Sequence, residues 1–271
     1  MNRYKNLFNH LKKKNEACFT PFIIIGDPNF EDSLSIIDIL IKNGADALEL
    51  GIPFSDPIAD GITIQKSNLR SFSSGINVQK CFKFIQKIRI KYPNIPIGIL
   101  VYANIIFNKG IKQFYSECSF TGIDSVLIPD VPLQEYKIFL KYANIFNINS
   151  IFICPPNADK NIIEKISLYG TGYIYLLSRS GVTGTKNEAI LPDKKIINML
   201  KQESNTPLLQ GFGISDTMYI KNLLKIGISG VICGSVIIEK IEKYYKKNIV
   251  MYNSIGKLVK KLKKSTILKK N

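Results

Sequence analysis

Apolar runs the length of a β-strand recur along the chain, and each is followed by a longer segment in which apolar residues return every three or four positions. Eight such runs stand out, at residues 19–25, 45–50, 97–102, 125–128, 150–153, 172–177, 208–210 and 230–232. Segments 30–43, 78–91, 134–146, 159–169, 193–203 and 216–226 read as amphipathic helices between them, and a further helix is expected at 4–14, ahead of the first run. A short apolar strand alternating with an amphipathic helix predicts parallel strands joined by crossovers. Eight such units predict an α/β fold, a closed (β/α)8 TIM barrel with an extra N-terminal helix. An open doubly wound sheet would not need eight units and commonly carries Gly-x-Gly-x-x-Gly after its first strand. No such motif follows residues 19–25. No composition shift or Ser/Pro-rich linker divides the sequence, so residues 1–271 are expected to form a single barrel domain.

Barrel enzymes place their chemistry at the C-terminal ends of the strands, so the residues that end each apolar run are the ones to read for function. The most informative is ADALELGIPFSDPIADG, residues 45–61. Ala45, Ala47 and Glu49 share one face by period-two alternation, Leu48 and Leu50 share the other, and Gly51 and Pro53 end the run. Glu49 is therefore expected to point inward at the mouth of the barrel. A carboxyl flanked by leucines should be desolvated, which raises its pKa and suits it to proton transfer near neutral pH. Asp60 lies on the following loop and is expected to stay ionised. Two carboxyls whose environments push their pKa values apart make an acid and base pair. The structural alternatives are a hydrogen-bonding role for Glu49 and a turn-initiating role for Asp60 ahead of Gly61.

Glycine-bearing loops follow the last three strands: SRSGVTG at 178–184, GFGIS at 211–215 and CGSVI at 233–237. Glycine lets backbone N–H groups approach an oxyanion closely, and a short helix opening at Ser235 would aim its positive end at the same point. Gly184, Gly213, Gly234 and Ser235 are assigned to a phosphate dianion, against the alternative of ordinary turn glycines. Gly211 opens the second of these loops and is grouped with the substrate-binding positions. Segment 178–188 is expected to act as a lid, with Arg179 and Thr183 as its working residues.

Composition removes several function classes. His10 is the sole histidine and lies far from every motif, so histidine-based catalysis and histidine metal sites are excluded. The five cysteines are scattered singly, which indicates neither a zinc site nor a disulfide framework. Proton transfer must then rest on carboxylates, tyrosines or lysines. Lys and Arg number 37 against 21 Asp and Glu, a formal charge of +16, yet the lysines are spread over the whole chain rather than gathered in a nucleic-acid patch. No apolar run approaches the roughly 20 residues that cross a bilayer, and the opening lacks the apolar core of a signal peptide. A cytoplasmic protein with neither nucleic-acid nor membrane partners is expected. The basic segment 257–269 could lie on a membrane surface, but Leu258, Val259 and Leu262 at helical spacing fit a core-sealing helix with a solvated lysine face.

Taken together, ALELGIPFSDPIADG, PIGILVYAN, FICPPNAD, YLLSRSGVTG and LQGFGIS resemble the tryptophan synthase alpha-subunit family, and the likeness runs from RYKNLF at the start to the last helix. The resemblance implies a (β/α)8 lyase that cleaves indole-3-glycerol phosphate to indole and glyceraldehyde 3-phosphate, with no metal or organic cofactor. It gives Glu49 the proton transfers, Asp60 the ring N–H, and Tyr175 a supporting place near the reacting hydroxyl. Phe22, Leu100, Ile153 and Phe212 would form the apolar slot for the indole. It also implies a partner, the pyridoxal-phosphate-bearing beta subunit, in an alpha2beta2 heterotetramer. The docking face would come from the 53–60 loop with Pro53, Asp56 and Pro57, from Asn104, Phe107 and Asn108, and from Pro132 and Glu135. Ile105, Ile106 and Phe107, read as a loop, are more apolar than solvent favours. Two positions depart from the usual family pattern, Ile62 after Gly61 and Cys233 before Gly234, and neither removes a chemical group. The alternatives are another sugar-phosphate barrel enzyme, or a phosphate-binding barrel that only activates or caps a partner.

Overall fold

The computed structural model describes residues 2–178, 190–211, 213–214 and 216–268. Its centre is a closed barrel of eight parallel strands in sequence order: β1 (Cys18–Ile24), β2 (Leu48–Gly51), β3 (Ile97–Leu100), β4 (Ser125–Leu127), β5 (Asn149–Cys154), β6 (Ile174–Leu176), β7 (Leu208–Gln210) and β8 (Gly230–Cys233). β8 closes on β1 with Cys18 opposite Gly230 and Pro21 opposite Cys233. The expected fold class is thus the observed one. The expected runs differ from the strands chiefly at their ends, where apolar residues continue into buried loops.

The helices are α1 (Arg3–Lys14), α2 (Phe30–Lys42), α3 (Ile62–Ser73), α4 (Val78–Lys91), α5 (Ala103–Lys109), α6 (Ile111–Thr121), α7 (Lys137–Ile145), α8 (Lys160–Tyr169), α9 (Lys194–Glu203), α10 (Thr217–Lys225), α11 (Ser235–Tyr244) and α12 (Asn248–Lys264). Several begin one residue later than the periodicity suggests because an Asp caps them from outside. Asp159, Asp193 and Asp216 each accept a hydrogen bond from a first-turn N–H, at Ile162, Lys195 and Met218 respectively.

Strand alternation divides the apolar residues into two cores. Leu48, Leu50, Ile174 and Leu176 face outward into the layer beneath the helices. Phe22, Ala47, Leu127, Ile151, Tyr173, Tyr175 and Leu209 face inward and fill the barrel, together with Tyr4 and Leu11 of α1, which closes its floor. The register Phe22 to Glu49 to Gly98 to Ser125 sets these residues at one level of the interior.

Two segments differ from the sequence reading. Residues 104–108, expected as a loop, belong to α5, where Ile106 is buried, Ile105 is half-buried and Phe107 alone of the three is exposed. Their apolar character is therefore mostly packing. Pro132 leads into a 3-10 turn at Leu133–Glu135 ahead of α7. α12 seals the barrel wall through Met251, Ile255, Val259 and Leu262, while Lys257, Lys260, Lys261 and Lys264 are exposed. Lys263 is the exception to the solvated lysine face: it turns in to pair with Glu16 at 2.9 Å and Asp46 at 2.8 Å. No helix among the described residues is long and apolar enough to cross a membrane.

Candidate active site

Glu49 stands inside the barrel in β2, 2% exposed, between the outward-facing Leu48 and Leu50. Tyr173, which precedes β6, donates its hydroxyl to Glu49 Oε1 at 2.7 Å. Burial pushes the carboxyl up to about 7, and the Tyr173 hydrogen bond, which favours the ionised form, opposes that rise. The group can therefore both hold and release a proton at neutral pH.

Asp60 differs from its expected setting. It lies on a loop yet is only 5% exposed, and burial raises it to about 6 against the lowering effect of hydrogen bonds with Tyr102 and Asn68. Asp60 is mainly ionised at neutral pH, but it is a desolvated group rather than a solvated loop carboxylate. Burial shifts both acids upward, so their environments do not push the two pKa values in opposite directions. The loop is held by its neighbours: Ala59 N–H donates to the Tyr102 hydroxyl at 3.1 Å, Phe54 N–H donates to Asn68 Oδ1 at 3.1 Å, and the rings of Phe54 and Tyr102 stack at 4.9 Å.

Tyr175 links the two acids electrostatically. Burial, then the nearby charges of Glu49 and Asp60, hold its phenol well above the usual range. Gly211 follows β7 where a side chain could not fit, since an added Cβ would fall 1.9 Å from the Tyr175 hydroxyl. Around the same mouth, Phe22 is buried, Leu100 and Ile153 are half-buried, and Leu177 joins them in the inner core. These are apolar walls suited to a flat ring.

Beyond β8 the chain turns at Gly234 directly into α11, whose first residue is Ser235 and whose N-terminus carries no side-chain cap. The first N–H groups of a helix lack intrahelical partners, so this end can receive an anion. A Cβ at Gly234 would meet Phe22 Cδ1 at 2.8 Å, which fixes glycine there for a packing reason. Gly213 is exposed, with φ +72° and open space around it. Thr183, Gly184, Arg179 and Phe212, and most of the expected 178–188 lid, lie outside the described residues.

The proposed docking positions border the loops after β2, β3 and β4, three neighbouring strands. Asp56, Asn104, Phe107, Asn108, Pro132 and Glu135 are exposed and Pro57 is half-buried, but Pro53 is buried and can only support the loop from beneath.

Sequence reading missed three residues that touch the carboxyls: Tyr173, Tyr102 and Asn68. Tyr173 carried a signal, because it shares Tyr175's inward parity two positions earlier. Asn68 carried none, since an asparagine within a helix gives no local sign that the tertiary fold turns it toward Asp60.

A parallel barrel that buries two shifted carboxyls at its C-terminal mouth, beside a capless helix N-terminus, is the frame of an enzyme working by proton transfer on an anionic substrate. A family model described as "Tryptophan synthase alpha chain" matches residues 8–267. The chain is 56% identical to the tryptophan synthase alpha chain of Buchnera aphidicola subsp. Schlechtendalia chinensis, over 99% of this chain and 100% of that protein. Among solved structures it is similar to tryptophan synthase subunit alpha from Legionella pneumophila str. Paris, with TM-score 0.88, 27% identity, and coverage of 98% of each chain. It is also similar to a chain of the tryptophan synthase complex from Pyrococcus furiosus, with TM-score 0.81, 30% identity, and coverage of 92% of this chain and 98% of that one. The chain belongs to the tryptophan synthase alpha chain family.

Proposed function

We propose that this chain cleaves indole-3-glycerol phosphate to indole and glyceraldehyde 3-phosphate in tryptophan biosynthesis, the reaction of the family to which it belongs. In this retro-aldol step a proton is added at ring carbon C3 and a proton leaves the side-chain hydroxyl next to it. The carbon–carbon bond breaks, its electrons return to the ring, and the hydroxyl carbon becomes the aldehyde. No electrons are gained or lost overall.

Glu49 carries both protons in this reading, and ionised Asp60 accepts the ring N–H. Tyr175 supports the reacting hydroxyl. Phe22, Leu100, Ile153 and Phe212 clasp the indole, Gly184, Gly213, Gly234 and Ser235 serve the phosphate, and Gly211 and Thr183 complete the substrate site. The observation that carries the proposal is the carboxyl of Glu49, buried at a barrel mouth with its pKa near 7. A group so tuned exchanges protons at neutral pH with little free-energy cost in either direction.

The chain works with a tryptophan synthase beta subunit, in an alpha2beta2 assembly that takes up the released indole. The likeness to a chain of the Pyrococcus furiosus complex supports this, as do the exposed residues Asp56, Asn104, Phe107, Asn108, Pro132 and Glu135 beside the loop that carries Asp60. The proposed setting is the cytoplasm.

The test mixes purified protein with indole-3-glycerol phosphate, with and without a beta subunit, and follows both products. Release of indole that rises with the partner supports reaction and complex together. Substrate binding without release under either condition would sink the catalytic reading.

A further inference from the structure

Consecutive residues at the start of α1 grip consecutive residues at the start of β4. Arg3 Nη1 lies 2.8 Å from Asp124 Oδ1, and the hydroxyls of Tyr4 and Ser125 are hydrogen-bonded at 2.9 Å. Inward from this double grip, the ring of Tyr4 meets that of Tyr173 edge-on, with centroids 5.6 Å apart and an interplanar angle of 63°. Tyr173 in turn donates to Glu49 at 2.7 Å. An unbroken line of contacts therefore runs from a partly exposed corner on the closed face of the barrel to the Glu49 carboxyl.

Two features set this line apart from ordinary packing. Asp124 keeps two of its partners without Arg3, because its Oδ2 accepts from Arg89 Nη2 at 2.7 Å and from Ile97 N–H at 2.8 Å, while Arg3 serves Oδ1. Arg89 also donates to the carbonyls of Gly122, Tyr92, Pro93 and Ile95, so Arg89 already ties this corner together. What Arg3 adds is attachment of the helix. The seat of Tyr4 is also cut to shape: Gly98, the register partner of both Glu49 and Ser125, lacks a Cβ that would stand 2.6 Å from Ser125 Oγ and 3.0 Å from the Tyr4 hydroxyl.

We propose that Arg3 and Asp124 are positioning residues for Glu49, clamping the first turn of α1 so that Tyr4 seals the barrel floor and keeps Tyr173 at donating distance. The inference rests on Glu49 being the proton carrier. The titratable groups around that carboxyl are Tyr173 and Tyr175 at β6 and Tyr4 of α1, with Asp124 and Cys18 beyond Tyr4 and Asp60 and Cys233 beyond Tyr175. Burial is the main cause of Glu49's raised value, and the Tyr173 bond is the smaller, opposing cause. Freeing α1 admits water to the floor and weakens both, so the larger effect wins and the pKa falls toward the ordinary 4.5.

The experiment titrates Glu49 in the full chain by carboxyl-carbon NMR, with Glu49→Gln identifying its signal, in wild type, Arg3→Gln and Tyr4→Phe, alongside thermal melts and steady-state kinetics. In folded Arg3→Gln the Glu49 titration should move down by about one unit. The pH limb of kcat should move with it, kcat at neutral pH should fall on the order of tenfold, and KM should stay near wild type. Tyr4→Phe, which keeps the ring, should shift the titration in the same direction by less, and it serves as the test if Arg3→Gln does not fold. A Glu49 titration unchanged in the folded variants, whatever happens to melting temperature, would reduce the clamp to a structural tie and overturn the proposal. The NMR readout needs no turnover, so it separates failure of the clamp from failure of Glu49 as proton carrier, which an active Glu49→Gln would reveal.

Discussion

Tyr173 and Glu49 meet inside the barrel across strands far apart in sequence, the phenol donating to Oε1 at 2.7 Å with both side chains at most 2% exposed. The phenol stabilises the ionised carboxylate while burial opposes it, and burial prevails. Glu49→Gln keeps the shape and removes the exchangeable proton, so kcat should drop by about a thousandfold or more while binding of glycerol phosphate persists. Near-normal turnover would take Glu49 out of its proposed role.

The same carboxyl makes a stability prediction. Its folded pKa of about 7 exceeds the ordinary 4.5, so the folded state holds the proton more tightly than the unfolded state does. The stabilisation this gives is complete below the unfolded pKa and is lost as pH rises from about 4.5 to about 7. By linkage the loss is on the order of 3 kcal/mol. Urea denaturation of Glu49→Gln should lack this fall, so the stability gap between variant and wild type should move in the variant's favour across that window. Parallel curves would show that Glu49 is not buried as described.

Asp60 predicts the acid limb of activity. Burial raises it to about 6, and the ionised form is the one that can accept a ring N–H, so kcat/KM should fall as pH drops through about 6. Asp60→Asn should lose most activity and flatten that limb. A limb near 6 that survives in the variant would assign it to another group.

These two carboxyls show how far local pattern reaches. Period-two alternation put Glu49 and Ala47 on the inner face and Leu48 and Leu50 on the outer one, and the structure agrees for these four. Ala45, expected inside, precedes β2 and packs against the outer core instead, because the alternation holds only where the chain is extended. Alternation is a local property of the backbone, and so it is legible in sequence. Asp60's burial is not local: it depends on Tyr102 at the end of one strand and Asn68 on the next helix closing around the loop. The same reasoning separates α5, misread as a loop because its short apolar stretch has too few turns to show a helical period, from α4, whose 14 residues show it plainly. Lys263 looked like part of a solvated lysine face because nothing nearby in sequence reveals Asp46 and Glu16 as its partners.

Gly211 yields a test of how tightly the mouth is fitted. The added methyl of Gly211→Ala would fall 1.9 Å from the Tyr175 hydroxyl and 2.0 Å from its Cζ, so the ring must leave its place. Moving a buried ring costs about 1–3 kcal/mol of stability. It should also cost activity out of proportion to the melting shift, because the displaced phenol lies near both acids. A variant with unchanged kcat/KM would show that Tyr175's position does not matter to the reaction.

The last prediction concerns an ion pair that holds α3, and through it Asp60. Asp27, fully buried in the loop after β1, accepts from Arg70 Nε and Nη2 at 2.7 Å each and also from Ser67 Oγ. Burial raises its pKa, and the Arg70 guanidinium and the Ser67 hydroxyl pull it back. Arg70→Met leaves that carboxylate without its counter-charge, which should cost about 3–5 kcal/mol. Asn68, on the same helix, bonds to both Asp60 and the Phe54 N–H, so kcat/KM should fall as well. Without Arg70 the folded pKa of Asp27 rises further, and protonation then relieves the buried charge. The stability deficit of the variant should accordingly shrink as pH is lowered, and urea denaturation in mild acid and in mild base would measure it. A deficit of equal size at both pH values would mean that Arg70 acts through packing rather than through its charge on Asp27.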